Sequence, residues 1–367
     1  MKRIAIDARI ISTSTGRYVE RLLHHLQKTD TDNQYVVLML KKDLGYWRPS
    51  APNFKVVAAD FPLYSFREQF QFALLLYRLK VDLVHFTMPS HPLAYFKKHV
   101  ITVHDLTLVA YVNRRREGQL KDLYRNHLKP AVFRAVLSVG VRCGSHIITP
   151  TKYVMNAIHN HYGIPRSRIS FTHEAAEKLA AAPVEPSPPI HRPFILYVGN
   201  AYPYKNLERL VMAAAEVNRT HPITLVLAGK SDYFYEALKT YVTKSHIGNV
   251  RFTGFVSDAE LVWLYQHATL YVFPSLSEGF GLPPLEAMSY GLPVAAAKTS
   301  CLPEVLDKAA IYFDPLDTAA MTQVITDTLN DPEKLAGLKK AGLDHAKLFS
   351  WKRMAQQTHE IYTKVLI

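Results

Sequence analysis

Hydrophobic and polar positions alternate along the chain with two different periods. RIAIDA near the N terminus and QYVVLML further on are short apolar runs typical of buried strands, and GRYVERLLHHLQK between them has the spacing of an amphipathic helix. The succession continues with DLVHF, HVITVHD and HIITP as strands and with FREQFQFALLLYRLK (66–80) and TKYVMNAIHNHYG as helices. Strands that alternate with helices predict a parallel sheet covered by helices on both faces.

The alternation is interrupted by AAAPVEPSPPIHRP, residues 180–193, in which five prolines fix backbone angles and remove amide donors. It restarts with FILYVGN as a strand and NLERLVMAAAEVN as a helix. Two doubly wound, Rossmann-like α/β domains in series are therefore predicted, each with its ligand edge at the carboxyl ends of the strands. The expected limits are 1–182 for the first domain, 183–193 for a linker, 194–349 for the second domain and 350–367 for a final helix.

The composition agrees with a two-domain globular protein, since 48% of the 367 residues are hydrophobic and 20% are charged. No apolar run reaches the ~18 residues of a transmembrane helix. We interpret the start, MKRIAIDARII, as the first strand and not as a signal peptide. Cys143 and Cys301 are too few for a disulfide framework or a zinc site. We expect a cytoplasmic protein, and attachment to the inner face of the membrane stays open.

The positive charge is confined to the first half of the chain. Residues 1–190 hold 27 Lys and Arg against 14 Asp and Glu, whereas residues 191–367 hold 17 of each, so the first half accounts for the formal charge of +13. Basic surface attracts anionic partners such as a phospholipid surface, a phosphorylated acceptor or nucleic acid. A solubilising bias without a partner is the alternative. The clusters concerned are Arg114–Arg116 and Lys97–Lys98.

One loop carries the strongest candidate chemistry. SEGFGLPPLEAMSYG, from Ser277, follows the predicted strand LYVFPS and leads into a helix. Gly279 and Gly281 let the backbone approach a ligand, and a helix N terminus favours a diphosphate. Glu286, one turn inside, suits neutral hydroxyls such as a ribose diol, and Glu278, eight positions earlier, suits a second hydroxylated group. The arrangement indicates a nucleotide joined to a sugar; alternatively, Glu286 interacts with the helix dipole and the glycines only form a turn.

EGFGLPPLE resembles the E-x7-E motif of the retaining glycosyltransferases with the GT-B fold, the large family that includes mannosyl- and glucosyltransferases (glycosyltransferase family 4, group 1). Other segments resemble the family in the same order, among them TGRYVERLL, TVHDL, LYVGNAYPYKNLERLV, RFTGFVSDAELVWLY and FSWKRMAQQTHEIY. The resemblance implies two Rossmann-like domains facing across a cleft, with the final helix crossing back to the first domain. It also implies transfer of a hexose from a nucleotide-diphosphate sugar to an acceptor hydroxyl with retention of configuration.

The resemblance assigns catalytic roles to His104, Lys205 and Glu278. Lys205 would neutralise the donor diphosphate, and His104 and Glu278 would face the donor sugar. Glu286 would bind the ribose, while the segment 253–257 would contact the base through its backbone. The donor-binding set implied by the resemblance is Gly16, Asn200, Lys205, Gly254, Phe255, Val256, Glu278, Gly279, Phe280, Gly281, Leu282 and Glu286.

This chain departs from the family pattern in two loops. The first loop, STSTG, has Gly16 alone where relatives carry several glycines, and Tyr204 stands where a basic residue often precedes the lysine. Lys205 would then be the second domain's motif cation on the diphosphate. Helix N termini would supply the remaining positive charge, with Arg17 contributing unless it is a plain surface residue.

The whole-chain pattern favours GDP-mannose as donor and an acceptor in polysaccharide or glycolipid assembly; UDP-glucose and UDP-N-acetylglucosamine stay open. The acceptor is expected to carry a hydroxyl, and both a lipid-linked and an anionic acceptor are kept. We expect no cofactor and no metal site, because Asp30-x-Asp32 is interpreted as a loop and His159–His161 as part of a helix. His85, at a strand end, is interpreted as a core residue.

Two other classes of protein are weighed. A nucleotide-sugar 2-epimerase shares the fold and would carry additional catalytic acids and histidines. A non-enzymatic binder of nucleic acid would explain the basic first half and would bind with a steep salt dependence. No nucleic-acid-binding module is evident, so we expect no nucleic-acid partner.

Overall fold

The computed structural model describes residues 1–13, 15–111 and 129–367. By its contacts the chain divides into two compact units, Met1–Glu174 with Ser350–Ile367, and Ala175–Phe349. The proline-rich segment 183–193 therefore lies within the second unit, where the amide of Val184 donates to the carbonyl of Ala259 at 3.1 Å. The observed division falls eight residues before the limit expected from the sequence.

The first unit is built on a parallel sheet of seven strands in the order β3-β2-β1-β4-β5-β6-β7. Its central strands are apolar on both faces, as in a sheet covered by helices on each side. The strands are β1 (Arg3–Asp7), β2 (Gln34–Met39), β3 (Phe54–Ala58), β4 (Leu83–Phe86), β5 (His99–Thr102), β6 (His146–Thr149) and β7 (Ile169–Phe171). The helices are α1 (Gly16–Thr29), α2 (Ala73–Arg78), α3 (Thr107–Ala110), α4 (Lys129–Cys143) and α5 (Lys152–Tyr162).

The second unit contains a parallel sheet of six strands in the order β10-β9-β8-β11-β12-β13, around one continuous apolar core. The strands are β8 (Phe194–Val198), β9 (Thr224–Ala228), β10 (Val250–Gly254), β11 (Leu270–Phe273), β12 (Val294–Ala297) and β13 (Ile311–Phe313). The helices are α6 (Leu207–Val217), α7 (Tyr233–Lys244), α8 (Asp258–His267), α9 (Leu282–Ser289), α10 (Leu302–Leu306), α11 (Thr318–Leu329) and α12 (Pro332–Ala346). The α/β fold class predicted from the alternation is confirmed for both units.

The last helix, α13 (Trp351–Leu366), packs against α1 in the first unit. The prediction that the final helix crosses back to the first domain is thus confirmed. Tyr362 hydrogen-bonds Nδ1 of the buried His85 at 2.5 Å, and Nε2 of His85 reaches Thr102 at 2.7 Å. Nearer the surface, His359 lies 3.0 Å from the carboxylate of Asp30. His85 is thus a core residue, as interpreted from the sequence, and its ring joins α13 to the sheet.

The helix expected over 66–80 differs from a regular α-helix. It contains a π-helical turn, Glu68–Phe72, followed by α2. The buried positions Glu68, Phe72 and Leu76 recur every fourth residue, a spacing that drifts by about 40° per step in an α-helix. The wider π turn offsets this drift and keeps the row facing inward.

A buried ion cluster, which the sequence did not reveal, holds this segment to the sheet. Arg9 donates to both carboxylate oxygens of Asp7, at 2.8 and 2.7 Å, and to Glu68 at 2.8 Å. Ser90 donates to both carboxylate oxygens of Glu68, and Arg9 also lies over the ring of Phe72. Each buried charge therefore has a hydrogen-bonded partner, as burial requires. Among the helices described, none is long and apolar enough to span a bilayer.

The Tyr362→Phe substitution tests the attachment of α13. We expect the free energy of unfolding to fall by about 1–3 kcal/mol, because the buried His85 would lose a hydrogen-bond partner. Denaturant unfolding measures the change. Tyr46→Phe, on an exposed ring, is the matched control and is expected to stay within about 0.5 kcal/mol of the parent protein. Equal effects of the two substitutions would show that the buried hydrogen bond does not stabilise the protein.

Buried histidines predict a loss of stability in mild acid. Burial lowers the pKa of His85 to about 3 and the pKa values of His91 and His146 to about 4. An unfolded histidine binds its proton near pH ~6.5, so the unfolded chain takes up more protons than the folded one below that pH. The free energy of unfolding should therefore decrease from about pH 6.5 towards pH 4. Urea unfolding at a series of pH values measures it, and a flat profile between pH 7 and 5 would contradict the prediction.

Candidate functional site

The candidate site lies at the carboxyl ends of β8 and β11, the neighbouring strands at which the strand order of the second sheet reverses. Ligands of open α/β sheets bind at such a reversal. The loop after β8 contains the short 3₁₀ turn Pro203–Lys205, and the loop after β11 runs through 274–281 into α9. The two loops are tied by a hydrogen bond of 2.7 Å from the amide of Leu276 to the carbonyl of Tyr204.

Lys205 and Glu278 form an ion pair across this reversal. The Nζ atom of Lys205 lies 2.5 Å from Oε1 of Glu278, and the two side chains keep 11% and 14% of their surface accessible. The ammonium group also lies 5.2 Å from the ring centre of Tyr204 and 5.3 Å from that of Phe273. Aromatic faces attract a cation and limit its hydration. The pair is thus largely desolvated, yet a ligand can still reach it.

Asn206, which the sequence analysis did not single out, positions this lysine. Its backbone is left-handed, with φ 61°, and it ends the turn that carries Lys205. Its side-chain amide donates to the carbonyls of Pro274 at 3.1 Å and Pro315 at 2.7 Å, and its oxygen accepts from Arg209 at 2.9 Å. Asparagine tolerates this conformation better than most residues, so an asparagine directly before a helix was the available signal.

The start of α9 is formed by an unusual sequence, Gly281 followed by Leu282, Pro283 and Pro284. Gly281 has φ 90°, and a Cβ atom there would lie 2.8 Å from the side chain of Leu302, so the turn requires glycine. The two prolines occupy the first turn but carry no N–H groups. Backbone donors for an anion must therefore come mainly from the preceding loop.

Glu286 lies in the second turn of α9 and is largely buried. The hydroxyl of Tyr265 donates to its Oε2 at 3.3 Å, and the ring of Tyr265 stacks on Tyr290 at 5.3 Å. Phe280, in contrast, directs its side chain into the core, with its ring 5.8 Å from Phe349. The expected contact of Phe280 with a donor is thus restricted to its backbone.

Glycines lie at the carboxyl ends of the neighbouring strands β8, β9 and β10: Gly199 and Gly229 directly follow β8 and β9, and Gly254 ends β10. The amide of Gly229 donates to the carbonyl of Gly254 at 3.0 Å, and a Cβ atom on Gly229 would come within 2.0 Å of the carbonyl oxygen of Gly199. Gly254 has φ 72°, a conformation that favours glycine. The strand ends therefore form a closely packed edge with little side-chain bulk.

Asn200, Phe255 and Val256 lie on this edge. The carbonyl of Asn200 accepts from the hydroxyl of Tyr197 at 2.7 Å, which fixes the loop after β8. The ring of Phe255 is exposed, whereas Val256 packs on the core. The structure thus brings the predicted residues of the second domain to one edge of one sheet.

His104 belongs to the first unit and follows β5 by two residues. Its Nε2 lies 3.0 Å from the carbonyl oxygen of Thr87, and its Nδ1 lies 3.2 Å from Oε1 of Glu174. Burial favours the neutral ring, but Glu174, together with Thr87 and Asp105, raises the pKa of His104 overall. Since both nitrogens face acceptors, the doubly protonated imidazolium fits this environment.

Gly16 begins α1 in the first unit and has a packing role. A Cβ atom at this position would lie 2.1 Å from the carbonyl oxygen of Ile11 and 2.4 Å from that of Ile10. The close approach of α1 to the loop after β1 therefore requires glycine here.

The secondary candidates have structural surroundings where they are described. Asp30 accepts hydrogen bonds from Tyr35 and from the turn that follows α1, and His159–His161 lie within α5, as interpreted from the sequence. In the described ranges, no three His, Cys, Asp or Glu side chains group together as metal ligands would. Arg114–Arg116 lie outside the described residues.

The two Rossmann-like units are those of the GT-B fold, and the second unit carries an acidic loop and a lysine at its strand reversal. Two family models match this chain: Glycosyltransferase Family 4 over residues 15–175 and Glycosyl transferases group 1 over residues 184–345. The chain belongs to this glycosyltransferase family. The fold also matches sucrose-phosphate synthase from Thermosynechococcus elongatus, with a TM-score of 0.75, 21% identity and coverage of 100% of this chain and 99% of that one.

Curated relatives match over parts of their length. The chain is 29% identical over 282 residues to the serotype-specific mannosyltransferase WbdA of Escherichia coli. The aligned region covers 73% of this chain and 34% of that protein. It is 32% identical over 229 residues to the O-antigen chain mannosyltransferase B of Escherichia coli, covering 59% of this chain and 60% of that protein. The chain thus spans about a third of the first relative and three fifths of the second.

Substitutions of Asn206 test how the Lys205 loop is held. Asn206→Gly keeps the left-handed backbone accessible and removes the side-chain hydrogen bonds, and we expect it to lower the free energy of unfolding by about 2–3 kcal/mol. Asn206→Ala should cost about 1 kcal/mol more, because alanine is strained at this φ. Denaturant unfolding measures both. An unchanged stability of Asn206→Gly would mean that the carbonyls of Pro274 and Pro315 do not need this amide.

Proposed function

We propose that this protein is a retaining hexosyltransferase that moves mannose from GDP-mannose to an acceptor hydroxyl in polysaccharide or glycolipid assembly. The observation that carries the proposal is the Lys205–Glu278 ion pair at the strand reversal, beside the loop that leads to Glu286. The choice of mannose rests on the names of the two relatives described above, both of which are mannosyltransferases.

Lys205 would bind the diphosphate of the donor. Negative charge grows on the diphosphate as the sugar–phosphate bond breaks, so a fixed cation stabilises the transition state more than the ground state. Glu278 orients the ammonium group before the donor arrives, and Asn206 holds the turn that carries it. One lysine does not balance a diphosphate, and the amides of 279–282 would contribute further donors because Pro283 and Pro284 have none.

The two glutamates would bind hydroxyl groups. Glu286 has a carboxylate that can accept from both hydroxyls of a ribose while Tyr265 holds its other side. Once the diphosphate also binds Lys205, the Glu278 carboxylate would be able to accept a hydrogen bond from a hydroxyl of the donor sugar. A Cβ atom on Gly254 would meet nothing within 4 Å, so this end of the strand edge has room for a base, which the backbone of 253–257 would contact.

His104 would act on the sugar through its charge and its hydrogen bonds. Both ring nitrogens already face acceptors, Thr87 and Glu174, so a sugar hydroxyl must replace or share one of them. We assign no carboxylate as the nucleophile. Attack from the face of the leaving group, with a departing phosphate oxygen taking the acceptor proton, preserves the anomeric configuration. We propose that the reaction requires no metal, with Lys205 and the loop amides stabilising the leaving group.

A donor screen tests the proposal. GDP-mannose is expected to raise the melting temperature of the protein, since a ligand that binds only the folded state stabilises it by mass action, and UDP-glucose and UDP-N-acetylglucosamine should have smaller effects. The shift should persist with a chelator. Glu286→Ala is expected to weaken donor binding by about 10- to 100-fold, through the loss of charge-assisted hydrogen bonds. Glu216→Ala, on an exposed helix face, is the control.

Product analysis separates the alternatives. Mannose added to an acceptor, with its anomeric configuration kept, supports the proposal, and inversion would contradict the mechanism. A larger increase in melting temperature with a UDP-sugar than with GDP-mannose would identify that UDP-sugar as the donor, and the protein would still be a glycosyltransferase. Conversion of a UDP-sugar to its 2-epimer without any acceptor would identify an epimerase instead. Wild-type affinity in the Glu286→Ala variant would remove the ribose-binding role.

A further inference from the structure

Four large apolar side chains stand out from the surface of the first unit within 31 residues of sequence. The exposed fraction is 86% for Phe66, 68% for Phe70, 49% for Leu74 and 83% for Phe96. The first three recur every fourth residue along the segment that contains the π turn and α2. We call these four residues the apolar row.

The apolar row is fixed in orientation. The opposite side of the same segment is buried, and Glu68 on that side is bound to Arg9. The segment therefore cannot rotate to hide Phe66, Phe70 and Leu74 without breaking a buried ion cluster. Exposed apolar groups held in this way commonly mark an interaction surface.

Phe96 belongs to the same surface because its loop is hydrogen-bonded to the helical segment. The hydroxyl of Tyr77 accepts from the amide of Phe96 at 3.1 Å and donates to the carbonyl of Ala94 at 3.0 Å. Gln69 donates to the carbonyl of His91 at 3.2 Å and accepts from the amide of Leu93 at 2.8 Å. The two segments thus form one surface.

The stretch of chain that carries the apolar row is rich in positive charge. Between positions 66 and 98 the acidic residues are Glu68, which is buried, and Asp82, which accepts from the amide of Arg3. The cations of this stretch are all exposed: Arg67, Arg78, Lys80, Lys97 and Lys98. The surface therefore combines apolar side chains that can enter an interface with cations that attract negative charge.

We propose that the apolar row and its cations dock the first unit onto an anionic lipid bilayer. Phenylalanine and leucine side chains enter the boundary between headgroups and acyl chains, while Lys and Arg remain among the anionic headgroups. A second copy of this chain is a poorer occupant, because a symmetric contact would bring the same cations together. The inference does not depend on the sugar donor.

Co-sedimentation of the 367-residue chain with vesicles tests this inference. Vesicles of phosphatidylcholine with about one third phosphatidylglycerol should bind the protein at low salt, and binding should weaken at high salt because the attraction is screened. Vesicles of phosphatidylcholine alone should bind it at least tenfold more weakly. Absence of binding to the anionic vesicles at low salt would overturn the proposal.

Two double variants assign the binding to this surface. Phe66→Ser with Phe96→Ser should reduce the partition coefficient by about tenfold or more, through the apolar contribution. Arg67→Gln with Lys97→Gln should reduce it by about 25-fold, at roughly fivefold per cation. Leu316→Ser and the pair Lys339→Gln with Lys340→Gln, all exposed in the second unit, are matched controls that should bind like the parent chain.

Three results would contradict the proposal. Parent-like binding by both double variants would place the lipid contact elsewhere. Equal loss in the control variants would show that only the overall charge or hydrophobicity matters. Self-association in sedimentation velocity that disappears in the Phe66 and Phe96 variant would identify a second copy as the occupant. Since the altered side chains are exposed, circular dichroism should show unchanged folding in every variant.

Discussion

The reversal of strand order between β8 and β11 is the constraint on which the candidate site depends. The connections from these two strands run to opposite faces of the sheet, so the two loops separate and leave a crevice in which a ligand can bind. Lys205 and Glu278 meet across the opening, and Asn206 ties the same loops through Pro274 and Pro315. A desolvated ion pair is a poor source of stability, so its position at the ligand edge points to function.

The first unit contains the same reversal, between β1 and β4, and closes it differently. Thr87 donates to the carbonyl of Asp7 at 2.6 Å, and Arg9 binds Asp7 and Glu68 in a cluster from which water is almost excluded. The charged groups of that cluster hydrogen-bond one another and are buried, whereas Lys205 and Glu278 keep part of their surface accessible. One topology thus gives a closed structural cluster in the first unit and an accessible pair in the second.

The sequence predicts those features of the structure that depend on residues close together in the chain. Apolar periodicity predicted the inner strands of both sheets, several of the helices and the two α/β units, and the spacing of Glu278 and Glu286 indicated the loop and helix that carry them. The edge strands β3, β7, β10 and β13 were not predicted. The partners of Arg9 and Asn206 could not be predicted, because Glu68 and Pro315 lie 59 and 109 positions away. The π turn was missed for a related reason. It depends on keeping one row of residues against the sheet, which local helix propensity does not encode.

Recognition of the donor through the backbone, as proposed here, would explain why the sequence specifies the donor less clearly than the fold. Glycines at the carboxyl ends of β8, β9 and β10 remove side chains from the strand edge. Because Pro283 and Pro284 carry no N–H groups, the amides available near α9 lie mainly in the preceding loop. Backbone groups have the same chemistry in every sequence, so a base or phosphate bound by them selects for shape and leaves few diagnostic residues. The side chains that remain, Lys205, Glu278 and Glu286, match features shared by all nucleotide-diphosphate sugars: a diphosphate, sugar hydroxyls and a ribose. In the proposed function, they therefore favour a class of donor, the nucleotide-diphosphate sugars, more strongly than the identity of its base or sugar.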